Sequence, residues 1–172
     1  KAGCGKSTLL EYFRQNTNKN HVILAPTGVT AIKAKGSTIH KFFKFPPRFV
    51  TKEDVKVFRD RNLFSRLETL LIDESSMIRS DIFDLIDLSL KKNRRNKKPF
   101  GGVQIILFGD LLQLSPVVSS AEKEVVEKFY PKGAYFFNAR CFHSGKFVTK
   151  ELSKIFRQTD VNFINLLNKF RI

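Results

Sequence analysis

Tryptophan is absent from these 172 residues, methionine occurs once and cysteine only twice. Two cysteines, Cys4 and Cys141, support neither a disulfide framework nor a metal cluster, and they point to a reduced, intracellular setting. His21, His40 and His143 do not fall at zinc-ligand spacing. No apolar run approaches the roughly 18–20 residues that cross a bilayer, so no membrane partner is expected. The longest apolar stretches, such as residues 105–108, have the length of a buried strand. Acidic residues are scarce as well: 16 Asp and Glu face 31 Lys and Arg, a net charge of +15. Such a field favours anionic partners, nucleic acid ahead of acidic membrane. The chain does not begin with Met, so the absence of a targeting signal says nothing about the intact protein. Internal repeats and low-complexity linkers are missing too, and the length suits one domain with its own core.

What is present is an alternation of strand-like and helix-like segments. KSTLLEYFRQN carries Leu9, Leu10 and Phe13 at helical spacing directly after glycines. HVILAPT is a short β-rich run ending in a turn. LETLLIDES has Leu70, Leu71 and Ile72 in unbroken sequence, the mark of a strand buried on both faces, and VQIILFGD repeats that signature. Between them SDIFDLIDLSLKK places Ile82, Leu85, Ile86 and Leu88 on one helical side, with Ser80 positioned to cap its start. FVTKEL reads as a further short strand and NFINLLNKF as a closing helix. Apolar strands separated by helices imply a parallel sheet covered on both sides. The one charge block, KKNRRNKK at residues 91–98, reads equally as a helix end whose cations complement the dipole and as a nucleic-acid contact.

Ligands of open parallel sheets bind beyond the carboxyl ends of the strands, and four stretches fall there. The opening KAGCGKS fits the second half of the phosphate-loop pattern G-x-x-x-x-G-K-[ST] with Gly5, Lys6 and Ser7; the first glycine would stand one place before Lys1. Backbone amides of such a loop converge on phosphate oxygens, and the following helix adds a favourable dipole. Lys6 would reach the terminal phosphates and Ser7 would ligate Mg²⁺. The plainer alternative is a chance Gly-Lys-Ser. In LLIDES, Asp73 and Glu74 emerge where the strand ends, and adjacent strand residues point to opposite faces. Asp73 then suits Mg²⁺, and Glu74 suits orienting and deprotonating an attacking water; the alternative is an ordinary surface acid pair. In ILFGDLLQLSPV, Gln113 follows a strand end, where a neutral amide can hydrogen-bond a γ-phosphate and sense its loss. In IFRQTD, Arg157 offers a bidentate fork to phosphate, or is a surface residue.

Taken jointly, these pieces resemble the N-terminal motor domain of the Pif-type (petite integration frequency) DNA helicases of superfamily one. AGCGKST is similar to helicase motif I, APTGVTAIKAKGSTIHKFF to motif Ia, LLIDESSMI to motif II, FGDLLQLSPV to motif III and ELSKIFRQTDVNFINLLNKFR to motif IV. DIFDLIDLSLKKNRRNKKPFGGVQIIL resembles the signature that sets this family apart, and the likeness runs in order from Lys1 to Ile172. It implies an α/β fold, a RecA-like P-loop NTPase domain whose mostly parallel sheet is flanked by helices. The strand that launches the loop and a second RecA-like domain are expected outside residues 1–172. The implied cofactors are ATP and Mg²⁺. The implied partners are single-stranded DNA and duplex or fork junctions, engaged by a monomer moving 5′-to-3′.

Residue by residue, the resemblance assigns Gly3, Cys4, Gly5, Lys6, Ser7 and Thr8 to the nucleotide, and Ser7 with Asp73 to the metal. Glu74 activates water, Gln113 couples γ-phosphate to DNA grip, and Arg157 contacts γ-phosphate. Thr27, Gly28, Lys33, Lys35 and His40 lie along the DNA strand; a core histidine is the alternative reading of His40. Cys4, between glycines beside Lys6, is expected to be a reactive thiol. Three departures stand out. Lys33 and Lys35 occupy positions that are commonly Asn and Gly in bacterial members, Ser75 stands where Ile is usual, and Ser115 replaces a more usual Pro or Ala. A nucleotide-gated DNA-binding module and another P-loop enzyme, such as a small-molecule kinase, are the rival classes. Residues 1–172 alone are expected to bind DNA without separating strands, because two domains must close around ATP.

Overall fold

The computed structural model describes residues 4–152. Gly3, Arg157 and the expected closing helix NFINLLNKF lie outside the described residues. Four strands form one sheet: β1 (His21–Ala25), β2 (Ser37–Thr38), β3 (Thr69–Ile72) and β4 (Gln104–Leu107). Their order is β2-β1-β3-β4 and every pairing is parallel, as the alternation of apolar strands and helices predicts. Parallel neighbours need crossovers, which helices supply. α1 (Lys6–Asn16) precedes β1, and α2 (Gly28–Lys33) joins β1 to β2. α3 (Ile39–Phe43) and α4 (Asn62–Arg66) lie between β2 and β3, and α5 (Ser80–Arg94) joins β3 to β4. α6 (Ser120–Phe129) and α7 (Arg140–Ser144) follow.

Strand alternation divides the apolar side chains between two cores. Leu24, Leu70 and Ile72 join α3, α5 and an aromatic cluster that includes Phe43, Phe83 and Phe100. Ile23, Leu71 and Phe108 face the other way, against Leu10 of α1. β3 is therefore buried along its whole length, matching its unbroken apolar run. β4 differs: Ile105, Ile106 and Leu107 are only partly buried, because β4 is the outermost strand among the described residues.

Two further expectations are corrected. Ser80 does not cap α5. Arg79 occupies the cap position, and Ser80 is the first helical residue, fully buried, with its amide donating to the Ala134 carbonyl at 2.8 Å. The positive end of the helix is met instead by Asp81 in its first turn, gripped by Arg79 at 2.6 Å. FVTKEL forms no strand. Phe147 turns inward and stacks on Phe142 at 4.7 Å, also meeting Phe83 and Phe100, so aromatic packing takes the place of strand pairing. The basic block ends α5 at Arg94 and turns at Arg95, whose φ is 52°.

Candidate nucleotide and nucleic-acid site

Gly5 turns the opening loop into α1 with a left-handed φ of 84°. No side chain caps the helix, its first turn holds no acidic residue, and the space in front of Gly5 is open. Bare amides at the positive end of an eleven-residue helix form a cradle for an anion. Ser7 and Thr8 are exposed there, while Lys6 is largely covered. Cys4 is 3% exposed, so its thiol belongs to the packed interior. Ready alkylation of Cys4, expected from the loop sequence, is not what this burial allows.

At the end of β3 the ladder continues one residue further, with the Asp73 amide donating to the Leu24 carbonyl at 2.9 Å. Glu74 then leaves the strand in a left-handed conformation, φ 49° and ψ 45°. The two carboxylates are thus parted by a backbone turn, where simple strand alternation was expected. The Glu74 amide donates to Asp73 Oδ1 at 3.0 Å. Burial raises the Asp73 pKa, with that amide and Lys6 opposing. Burial also raises Glu74, Asp73 adds to the rise, and Lys6 opposes it. A non-glycine residue held at positive φ stores strain, which persists where the surroundings over-determine it.

The surroundings here are the turn after β4. The Ser75 amide donates to the Phe108 carbonyl at 2.8 Å. A Cβ on Gly109 would stand 2.4 Å from Ser75 Oγ and 3.2 Å from the Ser76 amide nitrogen, so any larger residue would have to turn the Ser75 hydroxyl aside or spread the two turns. Ser75, in place of the family's usual Ile, is therefore part of this contact.

Asp110 is the residue that sequence reasoning missed. It is 7% exposed, and its carboxylate lies 3.9 Å from Lys6 Nζ. It accepts from Gln113 Nε2 at 2.9 Å and from the Leu112 amide at 3.2 Å. Burial alone would raise its pKa; the hydrogen bonds from Gln113 and Leu112, with Lys6 nearby, hold it below the ordinary aspartate value. The only sequence signal was an acid directly after an apolar strand and glycine. Its partners lie about a hundred positions upstream and three downstream, and only folding joins them.

The motif Ia residues divide. Thr27 caps α2 in a capping box with Thr30, its hydroxyl 2.8 Å from the Thr30 hydroxyl, and Gly28 opens the helix. Both follow β1, and His40 follows β2, so all three lie at the carboxyl edge of the sheet. His40 is half-buried, edge-on to Phe45, and burial followed by Arg79 lowers its pKa. Its ring is neutral near pH 7, suited to hydrogen bonding more than to ionic grip. The Lys33 charge reaches Glu74 and lowers its pKa, tying this lysine to the acidic turn. Lys35 leans away toward Glu11 of α1 at 3.9 Å.

Lys35 also adopts φ 52°, a region that costs an L-residue roughly 1–2 kcal/mol and glycine little. Lys35→Gly should therefore raise stability by about 1 kcal/mol in urea unfolding. Loss of stability would mean that the exposed Glu11 contact outweighs the backbone strain.

ATP with Mg²⁺ fits these residues. The uncapped first turn of α1 matches phosphate, and Lys6 sits beside it. No group of three or more His, Cys, Asp or Glu among the described residues is placed to hold a metal. Mg²⁺ needs no such group, since it keeps several waters and takes one or two protein ligands plus phosphate oxygens. Ser7 and Asp73 are the residues that would hold it.

The family model described as PIF1-like helicase matches residues 1–171. The chain is 34% identical over 186 aligned residues to the ATP-dependent DNA helicase PIF1 of Saccharomyces cerevisiae, covering 99% of the chain and 20% of that protein. It superimposes on the crystal structure of a Bacteroides Pif1 helicase in complex with ADP-AlF3 and ssDNA, with TM-score 0.92 and 45% identity. That match covers 99% of this chain and 41% of the other. A structure described as the basis for unwinding of forked dsDNA by two coordinating Pif1 helicases matches with TM-score 0.89 and 43% identity, over 99% of this chain and 42% of that one. The chain thus spans about a fifth of the yeast relative and two-fifths of the solved chains.

Proposed function

The chain belongs to the PIF1-like helicase family, and we propose that it is the nucleotide-binding motor domain of an ATP-dependent DNA helicase. One observation carries the reading. Lys6, Asp73, Glu74, Asp110 and Gln113 come from three separate elements and interact with one another at the carboxyl edge of a single parallel sheet. The residues that resemble a DNA-strand contact, Thr27, Gly28 and His40, flank them along the same edge.

The residue roles follow from this arrangement. The first-turn amides of α1 with Lys6, Ser7 and Thr8 bind the phosphates. Mg²⁺ supplies charge neutralisation on them, held by Ser7 and Asp73. Glu74 orients water and takes its proton, its raised pKa suiting a base at neutral pH. Asp110 orients Gln113 and draws on Lys6, so the sensing amide and the phosphate-binding lysine share one carboxylate. Gly3 and Arg157 keep the nucleotide roles that their motifs imply. The chain is read as one of two RecA-like domains of a monomeric, intracellular protein that moves 5′-to-3′ on single-stranded DNA. By itself it would bind DNA without unwinding it.

ATP turnover by the full-length protein, with and without a single-stranded oligonucleotide, tests the reading. Marked stimulation is expected, together with unwinding of a duplex bearing a 5′ overhang and not of one bearing a 3′ overhang. Turnover indifferent to DNA would make it another P-loop enzyme; DNA binding without turnover would make it a gated binding module. Gln113→Ala should lose DNA-stimulated turnover and unwinding together while nucleotide affinity changes little. A variant whose sole defect is weaker nucleotide binding would contradict the sensor role.

A further inference from the structure

The fold engages two of the six cations in KKNRRNKK. Lys91 pairs with Asp87 at 2.6 Å, and Arg94 donates to the carbonyls of Phe64, Ser65, Leu67 and Gly101. Lys92, Arg95, Lys97 and Lys98 are exposed and make no ion pair among the described residues. The helix dipole accounts for cations in the last turn of α5, but not for those beyond it. Arg59 and Arg61, from the segment before α4, line one groove together with Arg94, Arg95, Phe58 and Asn93. Four arginines and no acid line this groove. Asp60, between two of them, is engaged by the Asn62 amide at 2.9 Å.

The groove lies at the opposite end of the sheet from the nucleotide site. α4 leads into the first residue of β3, and α5 leads through the Pro99–Gly102 turn into β4. Both helix ends therefore mark the amino-terminal edge, whereas Asp73, Glu74 and Asp110 leave the carboxyl edge. Strands of four residues separate the two edges by roughly 13 Å, at about 3.3 Å per residue.

We propose that this groove binds the phosphate backbone of double-stranded nucleic acid, as a second contact remote from the strand-binding edge. The Arg59 and Arg95 guanidinium forks match phosphate oxygens, and neither they nor the surplus lysines around them make an ion pair among the described residues that binding would break. Recognition of single strands relies on open aromatic faces. Phe58, the one ring in the groove, is already engaged by Phe64 at 5.0 Å and by the Lys44 ammonium at 5.2 Å. Charge without a stacking platform suits a duplex, whose bases are stacked inside and whose backbone faces out. The inference rests on the DNA-motor reading in that duplex DNA is its ligand.

The test compares two triple variants of the full-length protein. Arg59→Gln/Arg95→Asn/Lys97→Gln removes the two arginines of the groove that the fold does not engage, together with the nearby Lys97, with Asn at position 95 because it tolerates the left-handed backbone. Lys128→Gln/Lys132→Gln/Lys150→Gln removes the same charge elsewhere. Binding of a blunt duplex and of a single-stranded oligonucleotide is followed by anisotropy between about 50 and 200 mM salt. For the groove variant, the duplex plot of log K against log salt should flatten by about 2–3, since each phosphate contact contributes roughly 0.9. Its single-strand affinity and DNA-stimulated ATP turnover should stay, and the control triple should behave as wild type. An unmoved duplex slope, an equal change in the control, or an equal loss on single strands would each overturn the proposal. So would loss of binding to anionic lipid vesicles with duplex binding intact. Failure of the motor reading would appear separately, as wild-type turnover that single strands do not stimulate.

Discussion

Glu74→Gln should leave nucleotide binding near the wild-type level and lower ATP turnover by roughly 10²–10⁴-fold, the range associated with losing a positioned general base. The amide keeps the size and hydrogen-bonding reach of the carboxylate but cannot accept a proton. Glu74 is suited to the task by where the chain puts it. It sits half-buried at φ 49° on a turn braced by the Ser75–Phe108 hydrogen bond and by the close approach of Gly109. Burial and the Asp73 charge both raise its pKa, and Lys6 only partly offsets them. A base works when deprotonated, so wild-type turnover should rise with pH through a value above that of ordinary glutamate. That acid limb should be missing from the residual activity of the variant. Fluorescent-nucleotide titration and steady-state turnover check the two halves independently. Near-normal hydrolysis by Glu74→Gln would remove this residue from the mechanism.

Phe83→Ala should cost about 3–5 kcal/mol of stability, the range for deleting a buried phenylalanine side chain. Phe83 is fully buried on α5, with Phe100, Phe136 and Phe147 at centroid distances of 5.3, 5.8 and 6.0 Å. These rings come from the turn before β4 and from the segments flanking α7, so the lost side chain leaves a cavity bordered by three parts of the chain. Relaxation into that space is limited, because Asp84 next door holds the Cys141 amide at 2.8 Å and the Tyr130 hydroxyl at 2.9 Å. At roughly 2–4 °C per kcal/mol for a chain of this size, the melting temperature should fall by about 6–20 °C. Thermal unfolding followed by circular dichroism measures it. A shift of only about a degree would mean that the aromatic cluster repacks freely.

Much of the site was legible in sequence because its elements are local. Glycines before Lys6 and Ser7, an unbroken apolar run before Asp73 and Glu74, and a second such run before Gly109 each declare a strand end or helix start from adjacent residues alone. Period and composition act over a few positions, and they placed β1, β3, β4, α1 and α5 correctly. The same local logic failed where distant residues compete. Ser80 looks like a cap until Ala134 takes its amide, and FVTKEL looks like a strand until Phe147 finds other aromatic rings to pack against. β4 has the sequence of a doubly buried strand, yet its exposure depends on what lies beside it.

By itself, then, the sequence determined the parallel α/β class, the order of the strands along the chain and the glycine-led helix start that carries Lys6 and Ser7. Hydrophobic runs, turn glycines and strand-end charges are written in consecutive positions. Only the tertiary structure decided that Asp110 joins Lys6 to Gln113, that Lys33 is felt at Glu74 while Lys35 leans toward α1, and that two of the six cations in the basic block are spent on the fold. Those outcomes depend on pairwise distances between residues tens of positions apart, and Coulomb and hydrogen-bond energies act only once packing has set those distances.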